Sequence, residues 1–126
     1  IICYEIIYSG NLNMGSKKFD LIVNLSEDGW FNKSIGTYQH FYHSKFRAIE
    51  EGKQVIRATN QGITASILPN GIVVNSRQFN QKGKIVSEGF ALKKKTLFSQ
   101  YGNIILSLLI IILLVLQNIF ERIKRE

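Results

Sequence analysis

Cys3 is the only cysteine in the chain, and it lies inside Ile1-Ile2-Cys3-Tyr4-Glu5-Ile6-Ile7-Tyr8, a β-branched and aromatic run. A thiolate attacks carbonyl carbon well. The thiol must first be ionised by a nearby base or cation, and the oxyanion that forms must meet hydrogen-bond donors. No such group follows Cys3 at a fixed local spacing. Read by itself the residue is core filler or a nucleophile, and inert burial is the commoner fate of a lone cysteine. One cysteine forms no disulfide within the chain and no cysteine-based zinc site. The sequence implies neither a metal nor a cofactor.

The elements that must hold Cys3 follow from periodicity. Ile1 to Tyr8 and Leu21 to Leu25 (LIVNL) are short apolar runs of the kind that form buried strands. Between Thr37 and Glu51, Tyr38, Phe41, Tyr42, Phe46 and Ile49 recur mainly every three or four residues, which predicts an amphipathic helix ended by Gly52. Val55 to Thr59 and Ile63 to Leu68 flank the turn Asn60-Gln61-Gly62, and Pro69-Asn70-Gly71 turns the chain again before Ile72-Val73-Val74. Residues 75 to 84 read as a polar loop, and Ile85 to Leu92 as a further edge strand.

The net charge of +7 suits nucleic acid or an anionic membrane surface. Its distribution favours the membrane. Lys93, Lys94 and Lys95 precede an apolar run and Arg122, Lys124 and Arg125 follow it, while no nucleic-acid recognition motif occurs elsewhere. From Ile104 to Leu116 only Ser107 is polar, and the run continues less cleanly to Phe120. As a helix at ~1.5 Å per residue this segment is roughly 25 Å long, against about 30 Å of bilayer hydrocarbon. A membrane span is the expectation, with a buried or interfacial helix as its rival. Three basic residues flank each side, so the charge count leaves the orientation open.

Five blocks occur in a fixed order: Ile2-Cys3-Tyr4-Glu5, Asp28-Gly29-Trp30-Phe31, Gln39-His40, Arg47-Ala48-Ile49-Glu50, and Ile56-Arg57-Ala58-Thr59-Asn60-Gln61-Gly62-Ile63. Together with Tyr101-Gly102-Asn103 and the C-terminal apolar run, they resemble the C-terminal half of the nitrilase-like domain of the bacterial apolipoprotein N-acyltransferase family. The resemblance covers nearly the whole chain. It implies an α/β fold, part of a nitrilase-like α-β-β-α sandwich over residues 1–98, followed by a transmembrane helix and short basic tail over residues 99–126. It also implies placement in the bacterial inner membrane, with the nitrilase-like part on the periplasmic face and the C-terminus in the cytoplasm.

In chemical terms the resemblance implies that Cys3 is acylated by a phospholipid and passes the acyl chain to the N-terminal amine of a diacylglyceryl lipoprotein. The family's cysteine works with a glutamate base and a lysine that lie upstream of it, so the chain reads as a fragment in need of an N-terminal portion, encoded in a longer precursor or separately. Around Cys3 the backbone N–H of Tyr4 would help to hold the oxyanion, its ring simply packing. Glu5 would orient the site or, two residues along a strand from Cys3, form an ion pair. Trp30 would line an acyl or head-group pocket or lie in the core.

The remaining polar residues have structural readings: Arg47 and Glu50 as an internal helix pair, Arg57 and Asn60 as a brace for the sheet edge and turn, and His40 as a hydrogen-bonded structural histidine. Glu27 stands where the family usually has Asn, and Thr96-Leu97-Phe98 where it usually has Thr-Pro-Tyr. Two other readings compete. One is a carbon–nitrogen hydrolase acting on an amide or nitrile, against which the C-terminal apolar helix argues. The other is a non-catalytic membrane remnant of a split gene.

Overall fold

The computed structural model describes residues 1–10, 12, 19–89 and 95–125. At its centre is a four-stranded sheet in the order β1-β2-β3-β4, formed by Leu21–Glu27, Gln54–Asn60, Thr64–Ile67 and Val73–Arg77. β1 and β2 are parallel, in register from Leu21 opposite Gln54 to Glu27 opposite Asn60. β2, β3 and β4 follow as an antiparallel meander. Parallel neighbours need a crossover connection, and helix α1, Ile35–Glu51, supplies it. The fold is α/β, as expected.

Both ends of α1 are set by local chemistry. The Ser34 hydroxyl accepts the Gly36 N–H at 3.2 Å, and Gly52 closes the helix in the left-handed conformation at φ +63°. The face that α1 buries is polar: Thr37, His40, Ser44, Arg47 and Glu51 lie inward with Ala48. Of the expected apolar stripe only Phe41 packs against the core, while Tyr38, Tyr42, Phe46 and Ile49 are all exposed. The sheet beneath explains this. Alternation along β1 puts Ile22 and Asn24 on the side of α1, and the same side of β2 carries Val55 and the fully buried Arg57. Buried Asn and Arg require hydrogen-bonding partners, which an apolar helix face lacks. The opposite side of β1 leaves Leu21, Val23 and Leu25 exposed.

Three expectations need correction. The run Ile1 to Tyr8 is not a strand: only Ile2 makes an isolated parallel bridge, to Leu25, and Cys3–Ile7 is a 3₁₀ turn. The Glu5 carboxylate accepts the Ile2 N–H at 2.7 Å and the Glu5 N–H donates to the Ile2 carbonyl at 3.1 Å, closing a turn that β-propensity would not foresee. The turn carries Ile6 into the core with Ile22, Ala48, Val55, Ile63, Ala65 and Ile67. Residues 75–77, expected in a loop, belong to β4.

Finally, residues 85–89 are not a strand; residues 90–92 of that expected element lie outside the described residues. This segment lies on the sheet through side-chain bonds instead of a ladder: Gln54 Nε2 donates to Ser87 Oγ and the Glu88 carbonyl, and Asn75 Nδ2 donates to the Val86 carbonyl.

After a short helix α2, Leu97–Tyr101, Gly102 breaks the chain direction and helix α3 runs from Ile104 to Arg125. Its 22 residues reach roughly 33 Å, enough for a bilayer core. Its apolar window has a mean hydropathy of 2.5, and none of it is buried against the rest of the protein. Among the described residues the helix joins no core, and its length and composition associate the chain with a membrane. Polar groups within α3 are satisfied locally: Ser107 Oγ donates to the Asn103 carbonyl and Asn118 Nδ2 to the Leu114 carbonyl.

Candidate active site

Cys3 leaves the single bridge at Ile2 and enters the 3₁₀ turn with φ +46°, a left-handed conformation that a residue with a Cβ rarely adopts. Its side chain is half-buried. The thiol sulfur lies 3.8 Å from the Glu27 carbonyl, to which it donates, and 3.6 Å from Ser26 Oγ. Ser26 has one hydroxyl proton, and the Asp28 Oδ1 at 2.7 Å is the better acceptor for it.

Beneath the turn a closed ring of buried polar groups holds the Cys3 backbone. The Cys3 carbonyl accepts from His40 Nε2 at 3.3 Å and from Asn24 Nδ2 at 3.4 Å. His40 Nδ1 lies 2.9 Å from Asp28 Oδ1, and Asp28 Oδ2 accepts from Arg57 Nη2 at 2.7 Å. Arg57 Nη1 donates to Asn24 Oδ1 and, at 3.2 Å, to Ser44 Oγ. The circuit runs from the Cys3 carbonyl through His40, Asp28, Arg57 and Asn24 back to the same carbonyl. A carbonyl only accepts, so Nε2 carries a proton in this arrangement.

Burial pushes the Asp28 carboxyl up, but the His40 hydrogen bond, the Arg57 charge and the Ser26 hydroxyl outweigh it, and its pKa falls below the ordinary aspartate value. Burial also lowers the Arg57 guanidinium, with the Asp28 charge opposing the shift. Gly62 makes room for this pairing, because a Cβ there would come within 2.6 Å of the Asp28 Cβ.

The residues expected near the thiol are distributed around it. Tyr4 is half-exposed, and its ring stacks on His40 with centroids 5.1 Å apart and meets the edge of Phe31 at 5.8 Å. The Glu5 carboxylate turns back onto the Ile2 N–H rather than sharing a strand face with Cys3. Trp30 is 83% exposed in a short 3₁₀ turn and lies outside the core of the described residues. Glu27 uses its carboxylate on the Gly29 N–H at 2.7 Å and on Asn60 Nδ2 at 2.6 Å.

His40 is a hydrogen-bonded buried histidine, and Arg47 pairs with Glu50 at 3.1 Å, both as expected. Arg57 does not brace Asn60; it is fully buried and faces Asp28, because the inward position on β2 points it beneath Cys3 rather than toward the turn. Sequence reasoning missed Asn24 and Asp28 as site residues. The available signal was a lone polar residue at an inward position of LIVNL, and an acidic residue directly preceding Gly29.

A separate cavity of about 420 Å³ is lined by Gly10, Glu51, Tyr101, Asn103 and Ser107 among others, where the end of α1 meets α2 and the start of α3. Burial, and next to it the Glu50 charge, push the Glu51 carboxyl up. Cys3 does not line this cavity. Among the described residues, no group of His, Cys, Asp and Glu is arranged to hold a metal.

The sequence profile of the family described as carbon-nitrogen hydrolase matches residues 1–89. Curated relatives align over almost the whole chain. The apolipoprotein N-acyltransferase of Rickettsia bellii (strain RML369-C) is 34% identical over 125 residues, covering 97% of this chain and 25% of the relative. That of Wigglesworthia glossinidia brevipalpis is 37% identical over 124 residues, 98% of this chain and 25% of the relative. That of Agrobacterium fabrum (strain C58 / ATCC 33970) is 41% identical over 83 residues, 66% of this chain and 16% of the relative. The chain therefore spans about a quarter or less of the length of these relatives.

Proposed function

The chain belongs to the carbon–nitrogen hydrolase family, and from that premise we propose that it supplies the nucleophile of an apolipoprotein N-acyltransferase. The observation that carries the reading is the combination, in one chain, of a cysteine held in a left-handed turn over a buried polar ring with an unburied apolar helix long enough to span a bilayer. The names of relatives aligned over nearly the full chain support it. A soluble amidase or nitrilase would have no use for α3, so the membrane helix favours a lipid substrate over the hydrolase alternative.

In this reading the Cys3 thiolate attacks the ester carbonyl of a phospholipid. The carbonyl π-electrons move to oxygen, and the oxyanion is received by N–H donors that include the backbone of Tyr4. Collapse breaks the ester C–O bond and leaves an acyl thioester on Cys3, while the lysophospholipid departs with the proton taken from the thiol. The N-terminal amine of a diacylglyceryl-cysteine lipoprotein then attacks the thioester, forming the amide and regenerating the thiol. Trp30, exposed beside the start of α1, forms part of the wall met by acyl chain or head group, and Glu5 fixes the turn that presents Cys3.

The glutamate base and the lysine donor implied by the resemblance match no segment of these residues, and we assign them to sequence outside them, on the same or another polypeptide. The active site faces the periplasm and the basic tail lies in the cytoplasm of a bacterial inner membrane; nucleic acid has no part.

The test is a thioester assay. The complete polypeptide that contains this segment, given phosphatidylethanolamine, should accumulate a hydroxylamine-sensitive acyl-enzyme, and Cys3→Ala should abolish it. Accumulation in the Ala variant would place the nucleophile elsewhere.

A further inference from the structure

We infer that His40, with Asn24, is a positioning residue that fixes the plane of the Cys3–Tyr4 peptide and so aims the Tyr4 N–H at the oxyanion. The inference rests on the acyl-transfer reading above for its purpose, but on geometry for its content. Among the described residues the non-glycine positions with positive φ are Cys3, Asn32, Gln61 and Asn80. Three carry a side-chain amide, the chemistry best able to stabilise such a backbone locally; Cys3 does not. Something else must hold it.

What holds it is a pair of buried donors on one atom. His40 Nε2 and Asn24 Nδ2 converge on the Cys3 carbonyl at 3.3 and 3.4 Å. Neither donor is free to move away. Asp28 holds the other side of the imidazole at 2.9 Å, Arg57 holds the Asn24 side-chain oxygen, and Asp28 and Arg57 hold each other. Tyr4 covers the imidazole from outside by stacking on it.

A trans peptide is planar, with its C=O and N–H pointing in opposite directions, and no cis bond occurs among the described residues. Clamping the Cys3 oxygen toward the buried ring therefore turns the Tyr4 N–H of the same peptide away from the interior. Two hydrogen bonds on the carbonyl also polarise the amide and make its N–H a stronger donor. This accounts for the polar inward face of α1: His40 and Ser44 serve the ring that carries the nucleophile's backbone.

The experiment compares two reactions of the sole thiol in the detergent-solubilised 126-residue chain, in alkaline buffer. Acylation by p-nitrophenyl butyrate forms the Cys3 S–C(O) bond, breaks the ester C–O bond and releases p-nitrophenolate, with the thiol proton passing to buffer; it proceeds through an oxyanion. Alkylation by iodoacetamide does not. Gln places its amide nitrogen near the site of Nε2, whereas Asn places its amide near Nδ1. The acylation-to-alkylation ratio should therefore fall roughly tenfold or more in His40→Asn and stay within about threefold of the parent in His40→Gln.

A ratio unchanged in His40→Asn, or lowered equally in both variants, overturns the inference, and matched thermal melts separate misfolding from misplacement. Because the probe is an activated ester, the ratio is read even if no phospholipid is ever a substrate. Failure of lipid transfer alone would overturn the proposed function and leave this inference standing.

Discussion

Asp28 and Arg57 meet at 2.7 Å with both side chains fully buried, joining the end of β1 to the middle of β2 directly beneath the thiol-bearing turn. A buried pair of this kind contributes modestly as a whole but is costly to break, since the survivor is left charged and unpaired in a poor dielectric. Asp28→Asn should therefore destabilise the chain by about 3–5 kcal/mol. Circular dichroism melts in detergent would read this as a lower transition for the sheet domain, with the α3 signal persisting. A melt within error of the parent would show that the pair carries no such load.

The same carboxylate sets an acid limit. Its pKa is lower in the folded chain than the ordinary value of about 3.9. Its stabilising contribution is thus fully present above that ordinary value and is lost as pH falls through the folded one. Stability measured by denaturant titration should drop steeply below about pH 4, and Asp28→Asn should flatten that limb. An equally steep acid limb in the variant would assign it to other carboxylates.

Gly62 should be intolerant of a side chain for a reason outside its own turn. A Cβ at Gly62 would come within 2.6 Å of the Asp28 Cβ and press on the carboxylate that holds His40 and Arg57. Gly62→Ala should lower the melting temperature and change the iodoacetamide reactivity of Cys3, whereas Gly89→Ala, where the added atom meets nothing within 4 Å, should change neither. Equal behaviour of the two variants would refute the steric argument.

Orientation in the membrane is testable without activity. In a Cys3→Ala background, a cysteine placed after Arg125 should resist an impermeant maleimide in intact cells and react after lysis. Labelling before lysis would put the basic tail outside.

The 126-residue chain by itself should not transfer acyl groups from phosphatidylethanolamine to a diacylglyceryl-cysteine peptide. The base and the lysine donor proposed for the site are not among its matched residues, and loss of one oxyanion donor alone commonly costs on the order of a hundredfold. Turnover by this chain, abolished in Cys3→Ala, would show that its own residues complete the site.

Local chemistry determined much of this protein by itself. The LIVNL run, the helix ended by Gly52, the tight turn at Gln61-Gly62 and the apolar C-terminal segment each depend on near neighbours, and each forms where composition and periodicity place it. The family was legible because motif order survives in one dimension. Tertiary structure decided the rest.

The Ile1 to Tyr8 run has every propensity of a strand, yet one Glu5 carboxylate on the Ile2 N–H and two long-range donors on the Cys3 carbonyl turn it into a 3₁₀ element. Arg57 could not be paired with Asp28 from a sequence in which they stand 29 positions apart. The buried face of α1 is polar because what lies beneath it, Asn24 and Arg57, must be hydrogen-bonded. Periodicity along one helix reports which side chains share a face, but the partner across the interface decides which face is turned inward.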